Sequence, residues 1–140
     1  MAEVLRLLGA RHAIVAHGQD GLDELTLDGE TQGWEVVGGQ VREWSTSPQS
    51  AGLPSASLDQ IKGSSKEENA VTMRRIFQGA SGPLRDVVLL NSGAVLLVGG
   101  EVEDIAQGVE RAARVIDDGA ALAKLDSLVE VSQRLGQELA

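Results

Sequence analysis

The apolar run Ala13-Ile14-Val15-Ala16 leads straight into His17-Gly18-Gln19-Asp20-Gly21-Leu22-Asp23-Glu24, and this junction constrains the fold more than any other stretch. Residues 12–16 read as a strand, and their unbroken apolar character predicts burial on both faces, as in parallel sheets. The loop that follows sets three carboxylates among glycines at the C-terminal end of that strand. In open α/β sheets ligands collect at that end. Adjacent carboxylates suit a hard divalent cation, and Mg²⁺ typically takes one or two carboxylates together with substrate phosphates. On spacing alone the same residues also read as a solvated acidic turn.

At 140 residues the chain suits one domain and is long enough to bury a core. Its 42% hydrophobic and 24% charged content reads as soluble and globular. The only aromatics are Trp34, Trp44 and Phe77, so the core must be aliphatic. The formal net charge is −9, and no basic cluster exceeds the Arg74-Arg75 pair. That balance argues against nucleic-acid and anionic-membrane partners, which need clustered Lys and Arg. The absence of cysteine excludes disulfides and thiolate chemistry. No apolar run reaches the length of a membrane span, and no signal pattern opens the chain, so the expected location is the cytoplasm.

Along the chain, Val4, Leu5, Leu7 and Leu8 form a short apolar helical face closed at Gly9. Leu25-Thr26-Leu27-Asp28 alternates like a half-buried strand and ends at the Asp28-Gly29 turn. Trp34 to Trp44 reads as a hairpin about Gly38-Gly39, which sets Val36 opposite Val41 and Glu35 opposite Arg42. Such a cross-strand charge pair contributes about 0.2–1 kcal/mol. The two tryptophans fall on opposite faces in that register and are read as packing residues, not a base-stacking platform.

Residues 46–65, with Pro48 and Pro54, read as an irregular crossing. Ser65-Lys66-Glu67-Glu68 has capping-box spacing, and the helix behind it is expected to bury Ala70, Met73, Ile76 and Phe77. Val87–Leu90 and Ala94–Val98 fit two buried strands or one buried helix equally well by periodicity. Ile105, Val109, Ala112, Ala113 and Ile116 mark a further helix, and Leu122, Leu125, Leu128, Val129 and Leu135 the last. Asn91 reads as a satisfied core or helix-contact amide, His17 as a hydrogen-bonded strand-end histidine and His12 as exposed. Lys124 and Asp126 read as part of a solvated helix face.

Four segments in order carry a resemblance: His17–Glu24, Glu67-Glu68-Asn69-Ala70, Arg85-Asp86-Val87-Val88-Leu89-Leu90-Asn91, and Asp117-Asp118-Gly119-Ala120-Ala121-Leu122-Ala123-Lys124-Leu125. Together they resemble the anthranilate phosphoribosyltransferases of tryptophan biosynthesis over nearly the whole chain. The departures are small: Ser92-Gly93 after Asn91, and Lys66 before the glutamate pair. The resemblance begins in the middle of the family pattern. It lacks the N-terminal helical domain, the Gly-Thr-Gly-Gly-Asp diphosphate loop and the Lys-His-Gly-Asn stretch.

The resemblance thus implies a single partial domain over 1–140, the C-terminal portion of a phosphoribosyltransferase α/β domain. The expected fold is α/β: a short helix, a partial sheet of about four strands (one apolar central strand, a mixed strand and a hairpin), then about four helices. Residues 82–100 become one helix on this reading, with Pro83 in its first turn. The family's acidic metal-binding pair maps onto Asp23 and Glu24 as Mg²⁺ ligands, with Asp20 in a supporting role. The activity implied is transfer of phosphoribosyl from phosphoribosyl pyrophosphate to anthranilate, with the isolated chain inactive.

Two alternatives stand beside that reading. One is a non-catalytic module docking on a partner that carries the missing half. The other is a fragment related to nucleoside phosphorylases. The implied associations are a homo-oligomer or pairing with the missing N-terminal portion, encouraged by an exposed sheet edge at 12–17.

Overall fold

A computed structural model describes residues 1–138. Its elements run α1 (Ala2–Leu7), β1 (His12–Gly18), β2 (Thr31–Val37), β3 (Gln40–Thr46), a 3₁₀ turn (Gln49–Ala51), α2 (Leu58–Ile61), α3 (Lys66–Phe77), α4 (Pro83–Val98), α5 (Ile105–Asp117) and α6 (Ala120–Glu138). The α/β class stands. The chain forms two compact units, the first from Met1–Lys62 with Ser81–Ala112, the second from Gly63–Ala80 with the stretch from Ala113 onward.

The first unit holds a three-stranded antiparallel sheet of order β1-β2-β3. The hairpin register is the expected one, Glu35 facing Arg42 and Val36 facing Val41. Gly38 and Gly39 turn it with φ of +57° and +76°, values open to glycine and costly for other residues. β1 pairs with β2 alone among the described residues, so its outer edge is open, as expected for 12–17. The parallel pairing and two-sided burial expected of β1 are not found. Its partner runs antiparallel, and Ala13 to Ala16 are half-buried.

The fourth strand is also absent. Leu25, Thr26 and Leu27 are buried, but no neighbouring strand pairs with them. Their backbone is satisfied otherwise: Thr26 N–H donates to Thr31 Oγ1 (3.0 Å), and the Leu27 carbonyl accepts from Ala56 N–H (3.1 Å). The expected half-buried strand is wrong in both respects: Thr26 is as buried as the leucines on either side of it, and no strand pairs with the segment.

The 46–65 crossing carries the 3₁₀ turn and α2, the latter opened by a Ser57–Gln60 capping box. Residues 83–98 form one sixteen-residue helix with Pro83 in its first turn. Its buried positions, Arg85, Leu89, Leu90, Gly93 and Ala94, lie on one face. Apolar residues also occupy the rest of the helix, Val95 being 71% exposed, which is why no single apolar stripe showed in the sequence. α4 lies against β1, and α1 against all three strands. Even so, α1 leaves Val4, Leu7 and Leu8 exposed and buries only Ala2. The Gly9 closure holds: Gly9 N–H reaches Arg6 O and Ala10 N–H reaches Leu5 O, a Schellman motif.

In the second unit α3 meets α6. Ser65 caps α3 by accepting from Glu68 N–H at 3.2 Å. The expected stripe shrinks to Ile76, since Ala70 is exposed, Met73 is 45% exposed and Phe77 half-buried. Among the described residues no helix is long and apolar enough to cross a membrane.

Candidate metal-binding loop

β1 ends at Gly18, and the chain from Gln19 to Glu30 returns to β2 as a compact loop. Its frame is polar and local. Gly18 N–H donates to the Leu22 carbonyl (2.8 Å) and Gln19 N–H to the Glu30 carbonyl (3.1 Å). Asp20 is the internal strut: its carboxylate accepts from Leu22 N–H (3.1 Å) and from the buried Thr26 hydroxyl (2.7 Å). Gly18 is obligatory here because a Cβ would press on Asp20 and come within 2.9 Å of the Thr26 side chain.

Asp23 and Glu24 sit beyond this strut, both exposed. Neither carboxylate is engaged in a hydrogen bond or ion pair among the described residues. Both border a cleft of about 500 Å³ walled by Ala13, Ile14 and Ala16 of β1 and by Asn91, Ala94 and Val95 of α4. Asn91 reaches across this cleft to the chain directly after Glu24. Its side chain accepts from Leu25 N–H (3.0 Å) and donates to the Leu25 carbonyl (3.1 Å) and to Val87 O (3.0 Å). The sequence reading of a satisfied amide holds, but its partner 66 residues away was invisible there.

Two adjacent, unengaged carboxylates are a donor set that suits Mg²⁺, which keeps its remaining positions for water and phosphate oxygens. They are too few for a self-sufficient protein cage, and no group of three or more His, Cys, Asp or Glu among the described residues could hold a metal.

The other polar candidates are structural. His17 is exposed, with Nδ1 at 3.2 Å from the Gln32 carbonyl. His12 departs from expectation: it is part-buried, with Nε2 at 2.8 Å from Glu35. Glu35 also binds Arg42, at 2.7 and 2.6 Å. Burial pushes the Glu35 carboxyl up, but hydrogen bonds and charge from Arg42 and His12 outweigh this and hold it below the ordinary glutamate range. Asp126 is exposed and paired with Arg74 at 2.7 Å. Trp34 is 51% exposed on the sheet and does not pack as expected, whereas Trp44 is half-buried.

A family model described as "Glycosyl transferase family, a/b domain" matches residues 1–122. The chain belongs to this family. Within the glycosyl transferase family it is similar to the anthranilate phosphoribosyltransferase of Rhodopseudomonas palustris strain HaA2. The two are 46% identical over 132 residues, 94% of this chain and 39% of that protein. The crystal structure of anthranilate phosphoribosyltransferase from Thermus thermophilus matches with a TM-score of 0.82 at 38% identity, over 92% of this chain and 38% of that one. A Saccharomyces cerevisiae anthranilate phosphoribosyltransferase in complex with PRPP and Mg shares the fold at a TM-score of 0.73 and 23% identity, over 81% and 33% of the two chains. The chain thus spans between a third and two-fifths of the length of these relatives, and its likeness to the first two bears out the resemblance read from the sequence.

Proposed function

We propose that this chain carries the Mg²⁺-binding carboxylates of an anthranilate phosphoribosyltransferase, acting on phosphoribosyl pyrophosphate and anthranilate in tryptophan biosynthesis in the cytoplasm. The observation that carries the reading is the pair Asp23 and Glu24, exposed and unengaged at the rim of a cleft, with the loop braced by hydrogen bonds on either side of them. These two side chains would hold Mg²⁺. When bound, the ion stabilises charge developing on the departing pyrophosphate. The chain's own part is to hold the carboxylates out from the loop and to keep competing donors away from them. Asp20 is consumed by Thr26 and Leu22, which leaves Asp23 and Glu24 as the unspent carboxylates at the cleft. Little general-base work is needed, because an aromatic amine is uncharged at neutral pH.

The test is loss of anthranilate fluorescence on adding phosphoribosyl pyrophosphate and Mg²⁺. The expected result is no turnover by the 140 residues alone. Turnover should appear once the part of a relative that this chain does not match is supplied, and Asp23→Asn should abolish it. Complemented turnover that survives Asp23→Asn combined with Glu24→Gln would overturn the metal assignment.

A second reading, a docking module without chemistry of its own, is favoured by the open edge of β1 and the apolar wall beside it. On that reading a partner carrying the unmatched portion forms a soluble complex with the chain, yet the complex shows no turnover. Pairing with that portion, or with a second copy, is the association this edge supports.

A further inference from the structure

The best-anchored polar side chain at the cleft is one to which the proposed reaction gives no task. Asn91 stands in the middle of α4 with its carboxamide fully used: one acceptor bond and two donor bonds, all between 3.0 and 3.1 Å. Two of those bonds grip a single residue, Leu25, through both of its backbone groups. Leu25 is buried and has no strand neighbour, so the carboxamide replaces the strand that would otherwise satisfy it.

The geometry of the peptide bond gives this grip a consequence for the carboxylates. Leu25 N–H lies in the same rigid plane as the carbonyl of Glu24, so fixing that N–H fixes the backbone rotation on the C-terminal side of Glu24. The plane on the other side of the pair is held as well. The Leu22 carbonyl, coplanar with Asp23 N–H, accepts from Gly18 N–H at 2.8 Å. Asp23 and Glu24 are therefore a two-residue span clamped at both ends, with side chains free and backbone set. Ordering two exposed carboxylates in advance reduces the entropy that cation binding must remove. Outer partners of metal ligands contribute to affinity in this manner.

Resting on the metal reading above, we propose that Asn91 is a positioning residue for the acidic pair, acting through the backbone of Leu25 to hold Asp23 and Glu24 ready for a divalent cation.

The test uses the ¹⁵N-labelled 140-residue chain and Mn²⁺ alone as a paramagnetic probe. In the parent chain, Mn²⁺ should broaden the amides of Asp23 and Glu24 first, and Asp23→Asn with Glu24→Gln should remove that effect. Broadening centred elsewhere would overturn the metal reading itself. With that reading intact, Asn91→Leu keeps the branching of the side-chain heavy atoms and removes the clamp. It should accelerate exchange of the Leu25 amide and raise the Mn²⁺ concentration for half-broadening about tenfold. A purely structural Asn91 would lower the melting midpoint and leave the Mn²⁺ midpoint unchanged, which would overturn the proposal. Asn91→Ala serves as the second, smaller substitution.

A measurement on the unmutated chain decides the matter if neither variant folds. Coupling between two sites is reciprocal, so a clamp that favours the cation must be favoured by it. Saturating Mg²⁺ should slow Leu25 amide exchange by the same factor of about ten, and unchanged exchange would overturn the proposal.

Discussion

Glu35 shows what a single side chain can decide in this sheet. It is 5% exposed and sits between His12 on β1 and Arg42 on β3, so one carboxylate ties three strands together. Its acidity is enhanced in the fold, so the charged form is the one the fold favours. The sign follows: this stability is complete above the ordinary glutamate range and is lost as the pH falls through the lower folded value. Glu35→Gln should cost about 1–3 kcal/mol at neutral pH and flatten the acid limb of the stability profile, as read by urea midpoints from about pH 3 to 7. Arg42→Ala should cost less, about 1 kcal/mol in the same assay, because its side chain is largely solvated. Half of this cluster was legible in advance. Gly38-Gly39 sets the register that puts Glu35 against Arg42, whereas His12 is 23 residues away and nothing local announces the contact.

Between helices of the first unit, α4 and α5 approach closely at their glycines. A Cβ on Gly108 would lie 2.6 Å from Gly93 Cα and 2.6 Å from its carbonyl oxygen, so the backbones meet with no room for a side chain. Gly108→Ala must push the helices apart and should destabilise by about 1–3 kcal/mol. Gly136→Ala in α6 is the control, since a Cβ there meets nothing within 4 Å. Its better helix propensity should leave stability unchanged or raise it by at most about 1 kcal/mol. Chemical denaturation of the two variants separates these outcomes, and an equal loss in both would refute the close-packing account.

Element type was legible where the apolar residues themselves followed one period, as in α5, with Ile105, Val109, Ala112 and Ile116 inward. It failed at Leu25–Asp28, where Leu25, Thr26 and Leu27 are buried in succession and the backbone partners are Asn91, Thr31 and Ala56 in place of a strand. Pattern marks Leu25 and Leu27 as inward and is silent about what bonds the main chain. The acidic pair was placed by motif likeness, because its chemistry needs only neighbours in sequence. The Asn91 clamp needs a fold to bring it there.

For the whole molecule, the two compact units differ in how much they bury. Leu25, Leu27, Val36, Leu89, Leu90, Ala94, Ile105 and Val109 are all hidden in the first. In the second, Ile76 and Ile116 are the only buried side chains among the described residues, while Val71, Met73, Leu128, Val131 and Leu135 remain exposed. The Arg74–Asp126 pair joining α3 to α6 is exposed and adds at most about 1 kcal/mol. Local stability follows buried apolar contact, so α3 and α6 should open well below the free energy of global unfolding. Native-state hydrogen exchange with mass-spectrometric readout should show peptides from 66–77 and 120–138 exchanging ahead of those from 83–98, at denaturant concentrations where α4 is still protected. Equal protection of all three helices would mean that the units open together and that the sparse burial of the second does not set its stability. Weak protection of α3 and α6 would also leave the acidic loop untouched, because Asp20, Asp23, Glu24, Thr26 and Asn91 all belong to the first unit.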